Sequence, residues 1–179
     1  MAGRYARASA RRNRCQSAPF APARERYALR GGRTVSRLRL TRRVRFEAAH
    51  RLWSEQLDDA ANQSIYGKCA REGGHGHNYE VEVTLEGPVD PVSGLLVVRE
   101  QLDHVLDEHL VSRCDHRNLD DLVDLPGVST GENLARAFFD WVRPHVPAPA
   151  RLARLRVYET PRNHFDASEP FDASGPEDK

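Results

Sequence analysis

The sequence has 179 residues, of which 39% are apolar and 30% are charged. This length suits one domain with its own core, and the composition is ordinary for a globular protein. The net charge of +1 gives no bulk preference for nucleic acid or membrane, and no apolar run approaches the ~20 residues of a membrane span. Three cysteines, Cys15, Cys69 and Cys114, cannot form a disulfide framework and favour a reducing compartment. We therefore expect a cytoplasmic protein without nucleic-acid or membrane partners.

The two ends of the chain differ in composition from the rest. Residues 1–34 carry nine arginines against one acid, Glu25, and lack hydrophobic periodicity, so we predict a disordered Arg-rich extension. A transit segment and a start codon assigned too far upstream would give a similar composition; a tail or a mis-set start is the favoured interpretation. Frequent Arg and Ala also indicate a GC-rich genome and favour a bacterial cytoplasm. Residues 164–179 are predicted to be an acidic tail.

Between these ends, alternating apolar residues predict strands. The first strand covers residues 35–50, and its buried face would carry Leu38, Leu40, Val44, Phe46 and Ala48. Residues 51–74 are polar and contain glycines, which predicts a long loop. A second strand covers 77–86, a short apolar run at 94–98 predicts a short third strand, and 152–159 form the last one.

Two helices are predicted from apolar residues spaced three and four apart. The first runs from Val98 to about residue 111. The second starts at a capping box formed by Ser129 and Glu132 and ends before Pro144. The order strand, strand, short strand, helix, helix, strand is typical of an α+β fold, and residues 35–163 are predicted to form its single domain.

Three histidines are in phase on the first two strands. His75 and His77 point to one face of the second strand, and His50 shares the face of Phe46 and Ala48. Three buried imidazoles, without a carboxylate in phase to satisfy all of them, indicate a metal ion. A three-histidine site with an open fourth position is typical of catalytic Zn²⁺; separate hydrogen bonds at strand ends are the alternative.

Cys69 and Glu159 are further candidates. Cys69 follows Lys68 in the loop before the histidine pair, and near a cation its thiol would have a lowered pKa and serve as a general base or a metal ligand. A loop cysteine without a task is the alternative. Glu159 is in phase with the apolar residues of the last strand, where a carboxylate must be paired or bind a ligand with two coplanar N–H donors. A strand end open to solvent would equally explain it.

Asp115 and His116 follow the first predicted helix. An aspartate beside a histidine can orient the imidazole and raise its basicity, which suits proton transfer. Adjacent residues rarely pair, however, so their spacing alone favours ordinary loop composition.

Five motifs resemble the 6-pyruvoyl-tetrahydropterin synthase family, in the right order over residues 40–160. They are FEAAH (46–50), YGKCAREGGHGHNY (66–79), DHRNL (115–119), VSTGENLA (128–135) and VYET (157–160). The resemblance implies a tunnelling fold, or T-fold, in which an antiparallel sheet carries two helices on one face and the chain assembles into a homohexamer, a dimer of trimers. It also implies active sites that lie between subunits.

Carried over by position, the resemblance assigns roles to individual residues. It implies that Zn²⁺ is held by His50, His75 and His77, and that Cys69 is the catalytic base. Asp115 and His116 would complete the proton relay, while Glu159 and Glu132 would contact the pterin.

The resemblance leaves three functions open. The expected reaction is loss of triphosphate and acetaldehyde from 7,8-dihydroneopterin triphosphate to give 6-carboxy-5,6,7,8-tetrahydropterin, the outcome favoured by the bacterial composition. The alternative is 6-pyruvoyl-tetrahydropterin from the same substrate, which the five residues between Cys69 and His75 favour. A non-catalytic module that binds a pterin or a metal is the alternative from a different class.

Overall fold

Two long antiparallel strands form the centre of the fold. The computed structural model describes residues 38–169. Strand β1 (Leu38–His50) pairs with strand β2 (His75–Gly87) along its whole length, from Leu38 opposite Gly87 to His50 opposite His75. Both strands therefore end together, and the histidines of both meet at one end of the sheet.

Three further strands complete a five-stranded sheet in the order β3-β1-β2-β4-β5. Strand β4 (Arg151–Thr160) pairs antiparallel with β2, and β5 (Asn163–Ala167) pairs antiparallel with β4. Strand β3 (Arg117–Asn118) adds a short parallel pairing to β1 at Ala48 and Ala49. The predicted α+β fold with a mainly antiparallel sheet is confirmed.

Two helical segments cover one face of this sheet, as predicted. Helix α2 (Arg99–Leu106) continues through one π-helical turn (Asp107–Val111) into the single turn α3 (Ser112–Cys114). Helix α4 (Gly131–Val142) begins after Thr130 and gives way to a short 3₁₀ turn that contains Pro144. The core between helices and sheet contains the buried side chains of Leu102, Leu106, Leu110, Leu134, Phe138, Val142, Phe46, Val81, Leu155 and Val157.

The opposite face of the sheet is charged. Arginines of β1 and β4 alternate with acidic residues of β2 and β5, so that ion pairs run across the strands. Arg43 contacts Glu82 at 2.6 Å and Arg45 contacts Glu80 at 2.6 Å. The sheet therefore has one buried apolar face, which is covered by the helices, and one face of paired charges.

The predicted loop over 51–74 contains a helix that the pattern did not indicate. Helix α1 (Asp59–Tyr66) is capped by Asp58, whose side chain accepts a hydrogen bond from the Ala61 N–H. Asn62 is its buried residue, and its amide bonds the main chain of Ser54 and Leu57. The helix was missed because a polar side chain, rather than an apolar stripe, fixes it to the loop.

Other predicted boundaries are also wrong. Residues 94–98 form no strand: they are irregular, with a bend at Leu96 and Val97, and lead into α2, whose N-cap Val98 offers no capping side chain. The acidic tail predicted from residue 164 begins too early, because β5 extends to Ala167 and packs Phe165 against the core. Leu38 and Leu40, which were expected on the buried face of the first strand, are exposed.

The structural predictions for residues 1–34 and for the end of the acidic tail lie outside the described residues. Within residues 38–169, no helix is long and apolar enough to cross a membrane.

Candidate active site

Strand register brings three imidazoles together at the end of the sheet. His50 lies directly opposite His75, and His77 lies opposite Ala48. One nitrogen from each histidine lies within 4.8 Å of the others, and the Nε2 atoms of His50 and His75 are 3.2 Å apart. The sequence prediction that these residues share a face is confirmed.

Burial favours the neutral form of the three imidazoles. Burial lowers the pKa of His50, His75 and His77 in each case, and desolvation is the largest cause. The Nε2 atom of His77 is buried without a hydrogen-bond partner in the described structure. A buried lone pair without a partner, beside two more neutral imidazoles, fits a bound divalent metal, which takes neutral histidine nitrogens as ligands. Among residues 38–169, no other cluster of His, Cys, Asp and Glu has this arrangement.

Two residues next to His50 were missed as parts of the site. The Nδ1 atom of His50 lies 2.9 Å from the Ser129 carbonyl oxygen, and the Ser129 hydroxyl donates to Asp120. The predicted capping box begins at Ser129, but the N-cap is Thr130, whose side chain accepts from the Asn133 N–H. No local pattern connects Asp120 with His50, because the contact depends on how two separate loops fold.

Glu159 lies beside the histidines. Its carboxylate is 3.4 Å from Nε2 of His50 and 3.9 Å from Nε2 of His77, and its side chain is 16% exposed. One carboxylate therefore lies beside the histidines but does not satisfy all three, since Nε2 of His77 has no hydrogen-bond partner in the described structure. Strand β4 brings Glu159 to the same end of the sheet, where it has the exposure needed to contact a ligand.

Cys69 lies on a turn that is fixed to the chain immediately after His50. The 3₁₀ turn (Gly67–Ala70) accepts hydrogen bonds from the Leu52 N–H, at the Cys69 carbonyl, and from Nε of Arg51, at the Ala70 carbonyl. Cys69 is partly exposed, and its thiol is not part of the histidine cluster. The turn is thus tied to the chain that follows His50, but the Cys69 thiol is not a fourth member of the cluster.

Asp115 and His116 do pair, contrary to the expectation from their adjacency. Nδ1 of His116 is 3.0 Å from the Asp115 carboxylate, and His116 adopts a left-handed backbone with φ of 57°. Asp115 also accepts from the Glu47 N–H at 3.1 Å. Its hydrogen bond to His116 raises the pKa of the imidazole, and hydrogen bonds from Glu47 and His116 lower the pKa of Asp115.

The Asp115–His116 pair faces away from the histidine cluster. It lines a cavity of about 500 Å³ together with the charged-face residues Arg45, Glu47 and Glu80. Successive residues of a strand face opposite sides, so Glu47 lies on the other side of β1 from Ala48 and His50. One chain therefore does not bring this pair to the three imidazoles.

Glu132 is also apart from the histidines. It is exposed in the first turn of α4 and lines a cavity of about 620 Å³ between α4 and β5, where Arg136 and Phe165 also lie. None of the three clustered histidines lines this cavity. Glu132 is the second residue of the helix rather than the third, so it does not close the predicted capping box.

Comparisons with known proteins agree with these features. The family model described as 6-pyruvoyl tetrahydropterin synthase matches residues 39–170. The 6-pyruvoyl tetrahydrobiopterin synthase of Drosophila melanogaster is 40% identical over 138 residues, covering 76% of this chain and 82% of its own. The Homo sapiens protein of the same name is 38% identical over 137 residues, covering 74% and 92%. The structure of Caenorhabditis elegans 6-pyruvoyl tetrahydropterin synthase superposes with a TM-score of 0.71 at 38% identity, over 75% of this chain and 96% of that one.

Proposed function

Because the chain belongs to the 6-pyruvoyl tetrahydropterin synthase family and is thus a lyase that acts on a pterin, we propose that it converts 7,8-dihydroneopterin triphosphate to 6-pyruvoyl-tetrahydropterin. The observation that carries this proposal is the cluster of three neutral imidazoles with the Glu159 carboxylate beside it. The cluster can hold a metal, and the carboxylate can hold a pterin.

The proposed product reverses the preference of the sequence analysis. That preference for the carboxy product came from Arg- and Ala-rich composition, which reflects the genome and not the pocket. Relatives from Drosophila melanogaster and Homo sapiens are named for the pyruvoyl product. The five residues between Cys69 and His75 favour the same outcome. The carboxy product remains the second candidate, supported only by composition.

We propose Zn²⁺ as the metal at His50, His75 and His77. Three neutral nitrogen donors with room for a further ligand are typical of catalytic zinc sites. When bound, the ion would act as a Lewis acid toward the hydroxyls of the substrate side chain.

In the proposed reaction, the chain's own residues bind the pterin and move protons. Glu159 accepts two N–H groups from the guanidine-like edge of the pterin. Cys69 removes a proton from the substrate side chain, and His116, oriented by Asp115, returns one. The carbon–oxygen bond to triphosphate breaks, and both side-chain carbinols become carbonyls. Of the four hydrogens that the carbinols lose, two pass to the ring, one converts the terminal carbon to a methyl group, and one leaves as a proton with triphosphate. Atoms and electrons thus balance within the substrate, so the reaction needs no external reductant.

We further propose that the site is completed by a second copy of the chain. The Asp115–His116 pair and the histidine cluster lie on opposite faces of one sheet, so a relay that includes both needs a neighbouring subunit. A homohexamer made of two trimers, as the resemblance implies, would supply it. Glu132, remote from the cluster in its own chain, would contact a pterin in the same way.

We also propose a cytoplasmic location and a pterin synthase domain that starts near residue 35.

Mass spectrometry of the zinc-loaded protein incubated with 7,8-dihydroneopterin triphosphate tests the proposal. We expect triphosphate and a tetrahydropterin that keeps all three side-chain carbons. A 6-carboxy product together with acetaldehyde would establish the second candidate instead. Intact substrate, with metal bound, would favour the non-catalytic module.

A further inference from the structure

Asp120 and Ser129, which are nine residues apart in sequence, meet behind His50 of β1. Ser129, in the loop before α4, offers its carbonyl oxygen to Nδ1 of His50 at 2.9 Å. Asp120, just after β3, accepts from the Ser129 hydroxyl with Oδ1 at 2.5 Å and from the Arg51 N–H with Oδ2 at 2.7 Å. Each oxygen of this carboxylate therefore restrains a different neighbour of the same histidine.

This arrangement decides which nitrogen of His50 carries the proton. A carbonyl oxygen can only accept, so the neutral imidazole must place its N–H on Nδ1. The lone pair is then on Nε2, the atom that faces His75 and Glu159. His50 and Ser129 are each only 1% exposed, so water cannot easily replace the carbonyl. A fixed tautomer with its lone pair toward the cluster is what a metal ligand requires.

The position of the Ser129 carbonyl depends in turn on Asp120. Ser129 belongs to a loop, and its side chain does not cap α4, since Thr130 does. The hydroxyl of Ser129 is instead anchored by Asp120. Asp120 also holds the main chain of Arg51, whose Nε donates to the turn that carries Cys69. The carboxylate thus connects the orientation of His50 with the turn of the thiol.

We propose that Asp120 is a positioning residue that acts through Ser129 to hold His50 in the Nδ1–H tautomer, with Nε2 directed toward the metal. This role rests on the metal centre of the proposed function. It assigns Asp120 no contact with substrate or metal. The 115–120 segment then has two roles. Asp115 and His116 form the proton-transfer pair on the charged face, and Asp120 positions His50 in the histidine cluster.

The test compares full-length variants without and with metal. In the metal-free protein, ¹⁵N NMR of the imidazoles reports the tautomer of His50. We expect a single Nδ1–H form in the unchanged chain and in Asp121→Asn, an exposed neighbour used as the matched control. Asp120→Ala should give a mixture of tautomers. Its affinity for Zn²⁺, measured by competition with a chromogenic chelator, should fall about 10- to 100-fold.

Ser129→Ala keeps the carbonyl but removes the link to Asp120, and it keeps the role testable if Asp120→Ala does not fold. Ser129→Ala should reproduce the mixed tautomers and the weaker Zn²⁺ binding. The double variant Asp120→Ala/Ser129→Ala should bind Zn²⁺ no more weakly than Asp120→Ala alone. An unchanged His50 tautomer and unchanged Zn²⁺ affinity in either single variant would overturn the role of Asp120. If the unchanged chain binds no Zn²⁺ but the tautomer responds as expected, the positioning role stands and the proposed metal centre fails.

Discussion

The two sets of candidate catalytic histidines lie on opposite faces of one sheet, and their pKa values shift in opposite directions. His50, His75 and His77 lie on the helix-covered face, where burial lowers the pKa of all three. His116 is 74% exposed on the charged face, where Asp115 raises its pKa. Burial favours the neutral imidazole that a metal ion binds, even with the Glu159 carboxylate beside the cluster, whereas a bonded carboxylate on an exposed imidazole favours the protonated form. The same side chain thus suits metal binding in one place and proton transfer in the other.

Loss of the Cys69 thiol should abolish the reaction without changing metal binding. Cys69→Ala should reduce turnover about 100- to 10,000-fold, because a general base is lost, while bound zinc stays at the level of the unchanged chain. Cys114→Ala is the thiol-matched control: Cys114 is buried in the core, and burial raises its pKa to about 12. Steady-state kinetics and metal analysis check both variants. Unchanged turnover in Cys69→Ala would exclude the proposed base.

Removing one imidazole of the buried cluster should weaken metal binding without changing the Asp115–His116 pair. In His77→Ala we expect zinc affinity to fall by more than about 100-fold, because a ligand is lost rather than merely misoriented. His104→Ala, on the exposed surface of α2, is the control. Metal content after dialysis measures the effect. If His77→Ala retains full zinc, the three-histidine site is wrong.

The loop that leads into His75 offers a test of packing behind the cluster. Gly74 has φ of +65°, and a Cβ there would lie 2.6 Å from the His50 carbonyl oxygen. Gly73 has φ of +88° but no atom within 4 Å of its Cβ position. Both alanine variants carry backbone strain, and Gly74→Ala adds a clash with main chain, so it should lower the free energy of unfolding by about 1–3 kcal/mol more. Urea denaturation compares the two; equal losses would contradict the close approach.

The smallest effect concerns the exposed pair. Asp115→Asn should move the pKa of His116 down toward its ordinary value of 6.5, because it removes the carboxylate that raises it. Since the folded pKa is raised, the stabilisation from this pair is fully present below pH 6.5 and is lost as pH rises through the folded value. NMR titration of His116 measures the shift, with Asp121→Asn as the control. A His116 pKa that does not move would mean that the pair is not coupled.

Sequence alone predicted the buried group better than the exposed one. Alternation along strands places His50, His75 and His77 on one face whatever the loops do, so their clustering follows from phase and pairing. The contact between Asp115 and His116 occurs together with a left-handed backbone conformation at His116, which the sequence pattern does not predict. Asp120 and Ser129 reach His50 only through the folded loops. Helix α1 was missed because buried Asn62, not an apolar stripe, fixes it in place.

Complementation between subunits tests whether Cys69 and His116 of different chains share one active site. Cys69→Ala keeps His116 but lacks the base, and His116→Ala keeps the base but lacks the relay, so each should be inactive alone. If Cys69 of one chain and His116 of another chain share an active site, unfolding and refolding the two variants together should restore a substantial part of the pterin lyase activity. Mixed assemblies that contain both chains and stay as inactive as the parents would contradict a shared site.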